Sequence, residues 1–560
     1  MSKMKITLLV SGFNSLSQVA YTYFKDRGDI VDVVFAINKK QMINEVFRFN
    51  PDFILCPFLK KFVPKEIYEN IDTYIVHPGV LGDRGAYALD NAIRIHKKEW
   101  GVTILKANGE FDSGDVVMTQ NFKMRASYKA SLYRNKVVTI FYGMLDGFLQ
   151  NLQSKKFTKQ PNGVMHKSLS QKERAIDWQK DTTQEILNKI YMSDSHPGVK
   201  DEILGVECYL YGAWEEEKLR AAPKEILAKR DGAICLGTVD GAVWITHLKE
   251  PHRFKLPATY VLKERLQGVK EQRLPLIFDK SYKTFYEISC DIHEDVAYLY
   301  FNFHNGAFSS DKCMKLKYAF EYIKEQAKVV VLMGGEDFFS NGIHLNILED
   351  SKKNGEDGWS NINAMNDLVK SLLLADDVVT VASLEKNAGA GGVFLALACD
   401  YVVAREGTVL NPHYKTLGLS GSEYHTYTLP KRVGAENAKK ILEECLPLSA
   451  SKAKEIGLID KLFAHKEYKK ELENFCLGLI FDEEKLEDFL WDKEDYIELY
   501  KKQMESHREK EIAVMYPEFW DEESSFHKKR YEFVYKICSL ETPQRLKATI
   551  TNNHSGKVNA

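Results

Sequence analysis

The sequence of 560 residues has almost no excess of charge and no long apolar run. Its 77 Lys and Arg residues nearly balance its 79 Asp and Glu residues, which leaves a formal net charge of −2 and no long basic stretch. This balance weakens any prediction of a nucleic acid or an anionic membrane as a partner. No apolar run reaches the ~18 residues that a transmembrane helix needs, and the apolar stretch near the start is too short for a signal peptide.

Cysteine is sparse and scattered. The nine cysteines stand singly, and the sequence contains neither a C-x-x-C nor an H-E-x-x-H motif. The pattern supports neither a disulfide framework nor a zinc site, so we expect no metal and a reducing, cytoplasmic setting. The first turn, "VSGFNSLSQ", also lacks G-x-G-x-x-G, which leaves a dinucleotide site without support.

The length and composition predict a multidomain α/β protein. A chain of 560 residues suits about three or four domains, and 44% hydrophobic with 28% charged residues is typical of globular proteins. In residues 1–160, apolar runs such as "KITLLV" and "IVDVVFAI" alternate with amphipathic segments, which predicts an open, largely parallel sheet. In residues 161–270, short strands between turn signals predict a small, OB-like β-barrel.

The second half of the chain returns to α/β patterning and then becomes helical. Residues 271–484 contain strands such as "DVAYLYFN", "KVVVLMG" and "DVVTVASL", with helical patterns between the later ones. Residues 485–560 are rich in Lys, Glu and aromatic side chains, which predicts an extension of amphipathic helices packed against a domain or a partner.

A histidine ends one candidate strand, and an aspartate follows another. His77 closes "TYIVH" before a glycine-rich loop, and Asp112 lies in the turn after "GVTILKA". At the carboxyl edge of one sheet these side chains would meet, and an aspartate beside a histidine favours the charged ring. Such a pair suits acyl transfer, because the histidine moves protons while the aspartate orients it. A capped loop with one solvated imidazole is the plain alternative.

The segments "IVHPGVLGDRGAYALDNAI" and "GVTILKANGEFDSGD" resemble the signature of folate-dependent formyltransferases. The resemblance covers residues 1–160, extends to the small barrel, and implies 10-formyltetrahydrofolate as the formyl donor. It implies His77 and Asp112 as the catalytic pair and Arg84 as a cofactor-binding residue. The family's asparagine falls on Ile75, which has no donor for a developing oxyanion. Either a backbone N–H substitutes, or the acceptor is not the usual amine.

Two glycine turns in the later α/β part indicate a second candidate site. They lie in "GGEDFFSNGIHLNIL" and "EKNAGAGGVFLALACDYVVA", where the second opens an apolar helical run. Unsatisfied backbone N–H groups at such turns favour developing negative charge, so two of them could form an oxyanion hole for a thioester. Two unrelated glycine turns are the plain alternative.

These turns, together with "SASKAKEIGLIDKL", resemble the crotonase (enoyl-CoA hydratase/isomerase) superfamily over about residues 285–480. The resemblance implies coenzyme A as a ligand and an oxyanion hole made by the backbone N–H groups of Ile343 and Gly391. The residues that it assigns to cofactor binding are Asn302, Asn305 and Gly306 in "NFHNGAF", and the turn glycines Gly342 and Gly392.

The two glutamates of ordinary hydratases are missing from the sequence. One falls on Phe394 and the other near His413 or Tyr414, so hydration of an enoyl thioester is not expected. A thioester reaction still needs an acid–base group. We assign Glu423 as the base and Tyr414 as the proton donor, with His344 as the next candidate. A structural role for each polar residue is the alternative.

A formyltransferase-like half followed by a crotonase-like half, with "NPHYK" and "GSEYHTY", resembles the HypX/HoxX family of hydrogenase maturation proteins. The resemblance spans nearly the whole chain. It implies formyl transfer from 10-formyltetrahydrofolate to coenzyme A, then decarbonylation of formyl-CoA to carbon monoxide, a ligand of the nickel–iron hydrogenase site. It also implies other maturation proteins as partners. A non-catalytic folate- and CoA-binding scaffold and an amine formyltransferase stay open as alternatives.

Overall fold

The first domain is built on one six-stranded sheet, in a computed structural model that describes residues 3–549 of the chain. Its strands are β1 (Lys5–Val10), β2 (Ile30–Phe35), β3 (Phe53–Cys56), β4 (Thr73–His77), β5 (Asp83–Arg84), β6 (Glu99–Lys106) and β7 (Val116–Lys123). Its helices are α1 (Ser15–Asp26), α2 (Lys39–Phe49), α3 (Lys65–Tyr68), α4 (Ala88–Arg94), α5 (Lys129–Leu132) and α6 (Val138–Ser154). The sheet order is β2-β1-β3-β4-β6-β7, and β5 lies outside the sheet.

The expected largely parallel sheet is parallel on one side only. The first four strands pair in parallel, whereas β6 pairs antiparallel with β4, and β7 pairs antiparallel with β6. The last two strands form a hairpin, which needs no crossover helix. An apolar run therefore indicated each strand without indicating its direction.

The second domain is an antiparallel sheet covered by short helices. Its strands are β8 (Val164–Met165), β9 (Val199–Ile203), β10 (Val206–Glu216), β11 (Ile226–Arg230), β12 (Ala233–Gly237), β13 (Ala242–Lys249) and β14 (Leu256–Pro257). Its helices are α7 (Gln171–Arg174), α8 (Thr183–Ser193) and α9 (Ala258–Leu262). The order is β11-β12-β13-β10-β9 with β14 beside β13, while β8 pairs with β5 of the first domain.

The third domain repeats the α/β plan with a second six-stranded sheet. Its strands are β15 (Ile288–His293), β16 (Val296–Phe301), β17 (Val329–Gly334), β18 (Val379–Leu384), β19 (Ala388–Gly389), β20 (Tyr401–Arg405), β21 (Val409–Asn411), β22 (Leu448–Ser449) and β23 (Lys461–Phe463). The main order is β15-β16-β17-β18-β20-β23, and β19, β21 and β22 form a small separate sheet. Only the β15–β16 pair in the main sheet is antiparallel.

Helices cover this sheet and continue to the end of the described chain. They are α10 (Ser310–Lys324), α11 (Leu345–Asp350), α12 (Asn354–Leu373), α13 (Gly391–Leu397), α14 (His425–Glu444), α15 (Ala450–Glu455), α16 (Tyr468–Ile480), α17 (Glu483–Trp520) and α18 (Ser525–Val534). The long helix α17 packs on α12 and α14, and the predicted extension beyond residue 549 lies outside the described residues. Across residues 3–549, no helix combines the length and apolarity that crossing a bilayer requires.

Two large hydrophobic cores determine how the domains sit together. One fills the first domain, around residues such as Phe24 and Phe148. The other is continuous from the second domain into the third, and it joins Leu256 to Phe301 and Phe308. The second and third domains therefore share buried surface and pack as one body.

Candidate functional site

His77 is held at the end of β4 by a loop that glycine makes possible. The strand stops there because Pro78 lacks the backbone N–H that a strand ladder uses. His77 Nε2 lies 2.7 Å from Asp83 Oδ1, and both side chains are buried. A Cβ atom at Gly79 would lie 2.2 Å from that nitrogen and 2.7 Å from that oxygen, so glycine is needed for this pair to form.

Asp112 contacts the other nitrogen of the same ring. His77 Nδ1 lies 3.3 Å from Asp112 Oδ2, which also accepts a hydrogen bond of 3.0 Å from Gly85 N. The carboxyl ends of β4 and β6 do not share one edge as expected, because the strands are antiparallel and His77 pairs with Thr103 inside β6. The loop after β6 instead turns back toward His77, and Asp112 adopts a left-handed φ of 43° there.

Asp83 and His166 complete this arrangement, and sequence reasoning identified neither. Asp83 Oδ2 lies 2.9 Å from His166 Nε2, so its two oxygens face two imidazole rings. His166 arrives from the linker after the first domain, because β8 pairs with β5. Asp83 is visible in the sequence within the glycine-rich loop, but no local pattern links it to His166, which lies much later in the chain.

Ile75 and Arg84 were the other two residues predicted for this site. Ile75 lies two residues before His77 on β4 and packs against a buried apolar cluster. Arg84 Nε donates a hydrogen bond of 2.8 Å to Phe111 O, and Arg84 Nη2 lies 3.2 Å from Glu110 Oε2. Arg84 thus braces the loop that carries Asp112, and its assignment to folate stays a prediction.

Ile343 and Gly391 come together at the second predicted site. A Cβ atom at Gly342 would lie 3.3 Å from Gly391 N, so the two turns are in contact. A Cβ atom at Gly392 would lie 2.3 Å from Ser340 O, which requires glycine there too. Within residues 3–549, neither the Ile343 nor the Gly391 backbone N–H donates to another protein group. Two free donors on adjacent turns can stabilise a developing oxyanion.

Glu423 lies directly beside Gly391. A Cβ atom at Gly391 would lie 2.4 Å from Glu423 Oε1. Tyr414 Oη donates a hydrogen bond of 2.7 Å to Glu423 Oε2, and both side chains are buried. Burial raises the pKa of Glu423 above its usual range, although the bond from Tyr414 opposes that shift. A buried carboxylate of raised pKa is a stronger base than an exposed one.

The backbone that presents Glu423 is held by two helices that the sequence did not connect with the site. Glu423 and Tyr424 both adopt left-handed conformations, with φ of 59° and 57°. Glu423 N donates to Asn366 Oδ1 at 2.8 Å, and Tyr424 N donates to Glu511 Oε2 at 2.9 Å. Asn366 belongs to α12 and Glu511 to α17, so the helical extension supports the second site.

His344 and His413, the histidines considered for the second site, have less suitable surroundings for acid–base work than Glu423, and Phe394 occupies the position of a hydratase glutamate. Phe394 stacks on the Tyr414 ring, with centroids 5.2 Å apart. His344 Nδ1 accepts a hydrogen bond of 3.2 Å from Ile347 N, and burial lowers the pKa of His344 to about 3. Burial likewise lowers the pKa of His413 to about 4. Both rings are therefore weak bases at neutral pH.

The loop predicted to lie along coenzyme A is at the boundary between the first and third domains. Asn305 adopts a left-handed φ of 55°, and its Oδ1 lies 3.5 Å from Arg134 Nη2 of the first domain. Arg134 also pairs with Asp337 at 2.8 Å. Asn302 Oδ1 accepts a backbone hydrogen bond of 3.0 Å from the turn after β17, and Gly306 follows with φ of 64°.

A cavity of about 550 Å³ lies at the same domain boundary. Its size falls within the range of small-molecule sites, roughly 300–1,000 Å³. One wall is aromatic, because Phe338 lines the cavity with the Arg134 guanidinium 4.8 Å from its ring centroid. The charged residues that line it are Arg134, Lys386, Arg405 and Lys466, with Asp146, Asp337, Glu406 and Glu467.

Family comparisons divide the chain in the same way as the structure. The family described as formyl transferase matches residues 36–140, and the formyl transferase C-terminal domain matches residues 168–265. The family described as enoyl-CoA hydratase/isomerase matches residues 291–530. The predicted multidomain α/β class, with a formyltransferase-like part and a crotonase-like part, is confirmed.

Whole-length relatives are similar to the chain from end to end. The hydrogenase maturation factor HoxX of Bradyrhizobium diazoefficiens is 34% identical over 552 residues, which cover 96% of each chain. The crystal structure of HypX from Aquifex aeolicus in complex with tetrahydrofolic acid is 41% identical, with a TM-score of 0.95 and 98% of each chain covered. A methionyl-tRNA formyltransferase of Thermotoga maritima is 24% identical over 229 residues, or 40% of this chain and 72% of that protein.

Proposed function

The chain belongs to the HypX/HoxX family of hydrogenase maturation factors, and we propose that it makes carbon monoxide in two steps. In the first step, coenzyme A accepts a formyl group from 10-formyltetrahydrofolate. In the second step, formyl-CoA loses carbon monoxide, which becomes a ligand of the nickel–iron hydrogenase site. The setting is the cytoplasm, where thiols and formyl-folate are both available.

One observation carries this proposal. A histidine between two carboxylates stands in the formyltransferase-like part, and a buried glutamate beside two free backbone donors stands in the crotonase-like part. The presence of both sites in one chain supports a product of the first site becoming the substrate of the second.

The first step uses the His77 site. The thiol sulfur of coenzyme A attacks the formyl carbon, the bond from that carbon to folate N10 breaks, and N10 takes a proton. His77 supplies that proton, while Asp112 orients the ring, takes the thiol proton and returns it to His77. The tetrahydrofolate complex of the relative from Aquifex aeolicus supports folate as the donor. Ile75 offers no amide donor, which suits a thiol acceptor better than the usual amine.

The second step uses Glu423. Its carboxylate takes the formyl hydrogen as a proton, and the C–H electron pair stays on carbon as the lone pair of carbon monoxide. The C–S bond breaks, and the thiolate leaves with its electron pair and takes a proton through Tyr414. The N–H groups of Ile343 and Gly391 hold the carbonyl oxygen. The absence of the hydratase glutamate at Phe394 leaves no group in that position to activate water.

Coenzyme A would lie across the domain boundary. The loop containing Asn302, Asn305 and Gly306 lies beside Arg134, and the cavity there offers cations for phosphates and an aromatic wall for a base. The thiol end can then serve both sites while the nucleotide stays in place. Enclosure between domains would also keep a labile formyl thioester away from water.

The decisive experiment follows the formyl carbon. The full chain is supplied with 10-formyltetrahydrofolate carrying a ¹³C-formyl group, with and without coenzyme A. We expect ¹³CO only when coenzyme A is present, together with transient formyl-CoA. Labelled gas that does not depend on coenzyme A would contradict the proposal.

The same assay separates the two alternatives. An amine formyltransferase would transfer the label to an added amine and release no gas. A non-catalytic scaffold would bind folate and coenzyme A in a calorimetric titration and leave the label on folate. Either result would replace the proposed reaction.

A further inference from the structure

Asp83 joins two histidines from different parts of the chain. Its Oδ1 lies 2.7 Å from His77 Nε2, and its Oδ2 lies 2.9 Å from His166 Nε2. His77 Nδ1 in turn lies 3.3 Å from Asp112 Oδ2. The four side chains therefore form one row in the order Asp112, His77, Asp83 and His166, in which His166 is the most exposed, at 22% of its side-chain surface.

The row depends on a close approach between the loop after β4 and the linker after the first domain. β5 and β8 pair in parallel, and Val164 N donates a hydrogen bond of 2.9 Å to Gly82 O. A Cβ atom at Gly163 would lie 2.2 Å from Gly82 O. Glycine thus lets the linker reach the loop, and the next turn of the linker brings His166 to Asp83.

The number of protons on this row decides the charge of His77. A neutral imidazole has one N–H, so it can donate to only one of the two carboxylates that face its nitrogens. When Asp83 and Asp112 are both ionised, both nitrogens of His77 must carry protons. Hydrogen bonds from a charged donor to a carboxylate are roughly twice as strong as neutral ones, so the row stabilises the charged ring.

We propose that Asp83 and His166 are positioning residues that hold His77 as an imidazolium for formyl transfer. This inference rests on the formyl transfer proposed above. It explains how the first site works with Ile75 in place of the family's asparagine. The positive charge of the His77 ring stabilises the developing oxyanion, which the asparagine amide would otherwise stabilise. His166 acts through Asp83, whose second oxygen it occupies.

The side chains of this row can account for every proton that moves during formyl transfer. The thiol proton passes to Asp112 while the C–S bond forms. The bond from the formyl carbon to N10 breaks, and N10 takes the proton from His77 Nδ1, which has the longer of the two carboxylate contacts. Asp112 then returns its proton to Nδ1. The Nε2 proton stays on the bond to Asp83 throughout.

The other charged groups near the row are already engaged with each other. Arg84 and Glu110 pair at 3.2 Å on the loop that carries Asp112. Asp112 also accepts hydrogen bonds from two uncharged donors, Gly85 N at 3.0 Å on its Oδ2 and Gln160 Nε2 at 2.9 Å on its backbone oxygen. Asp83 is therefore the carboxylate that faces His77 Nε2, on the opposite side of the ring from Asp112, and it sets the charge of His77 there.

The charge on His77 is measurable without substrate. ¹⁵N NMR of the histidine-labelled full chain reports the protonation of both ring nitrogens, with the His77 signal assigned by its loss in His77→Gln. At pH 7 we expect both ring nitrogens of His77 to carry protons, because each of them faces a carboxylate. Asp83→Asn should change this protonation, because it leaves only one carboxylate facing the ring. Asp72→Asn, which changes an exposed aspartate just before β4, should leave it unchanged.

Kinetics with 10-formyltetrahydrofolate and coenzyme A give an independent readout. Asp83→Asn should lower kcat by about 10²-fold, at the lower end of typical acid–base effects, with little change in the KM of coenzyme A. His166→Leu should lower kcat by less than Asp83→Asn does, because His166 acts only through Asp83, and it should move the basic limb of the pH profile to lower pH. His166→Gln should restore most of the rate, because its amide N–H can reach the position of His166 Nε2.

Two results would overturn the inference. One is a neutral His77 in the wild-type chain at pH 7, and the other is an unchanged His77 signal in Asp83→Asn. A charged, Asp83-dependent His77 in a chain that transfers no formyl group would support the positioning role and count against the proposed function alone. The two proposals therefore fail separately.

Discussion

Glu423 and Tyr414 form the pair whose chemistry is most directly testable at the level of single residues. Glu423→Gln keeps the shape of the side chain and its contact with Gly391 but removes the base. With synthetic formyl-CoA as substrate, carbon monoxide release should fall by about 10²–10⁴-fold. Formyl-CoA formation from folate should continue, because the first site is intact. The measurement is gas release beside formyl-CoA accumulation.

His77→Ala is the matched control for that variant. It should abolish formyl-CoA formation from folate and leave carbon monoxide release from synthetic formyl-CoA near the wild-type rate. Wild-type gas release by Glu423→Gln would remove Glu423 from the mechanism. His344 is a poor replacement, because burial lowers its pKa to about 3 and its Nδ1 is occupied by Ile347 N.

The pH dependence of the second step follows from the same burial. A base must be deprotonated to act, and burial raises the pKa of Glu423 above its usual range. Carbon monoxide release from formyl-CoA should therefore fall as the pH drops through a value above the ordinary glutamate pKa of about 4.3. A pH profile with its acidic limb at or below that value would contradict the assignment.

At the level of elements, the start of α13 determines whether the second site can form. Gly391→Ala would place a Cβ atom 2.4 Å from Glu423 Oε1, which must then shift away from the oxyanion position. We expect this variant to lose decarbonylation of formyl-CoA while formyl transfer at the first site continues. The rates of the two half-reactions, measured separately, test this expectation.

Gly478→Ala is the matched control for that helix start. Gly478 lies in α16, and a Cβ atom there would meet nothing within 4 Å. Replacing a helical glycine with alanine should stabilise the chain by about 0.5–1 kcal/mol and leave both half-reactions unchanged. Loss of decarbonylation in this control as well would mean that glycine replacement acts through general destabilisation.

At the level of the whole molecule, the second and third domains share one hydrophobic core. Phe254 and Tyr535 pack with ring centroids 5.2 Å apart, and Asn346 Nδ2 donates to Lys255 O at 2.8 Å. The segment between the domains is exposed at Gly268, where a Cβ atom would meet nothing within 4 Å. We therefore expect the packed interface, rather than the connecting segment, to hold the two domains together.

A cleavable linker tests this conclusion. A protease site inserted at Gly268 should be cut efficiently, and the two pieces should then elute together in size-exclusion chromatography. Calorimetry of the cut chain should show the second and third domains unfolding in one transition, because their core is continuous. Separate elution of the pieces would show that the covalent link, rather than the shared core, holds the domains together.

The sequence by itself determined the strands, their chemistry-bearing ends and the order of the domains. Apolar runs identified β1, β2, β16, β17 and β18, because a buried strand must be apolar along its length. Short motifs indicated His77, Asp112, Gly391 and Glu423 as candidates, because each lies in a short segment that resembles a family signature. The roles of these four residues stay predictions that the experiments above test.

Only the tertiary structure decided how distant segments meet. It set the antiparallel direction of β6, brought His166 to Asp83 through β8, and supported Glu423 with Asn366 and Glu511. None of these pairings leaves a local signal, because each depends on the register and loop closure of segments far apart in the chain. The residue type determines which chemistry a side chain can perform, whereas the fold determines which partners it contacts.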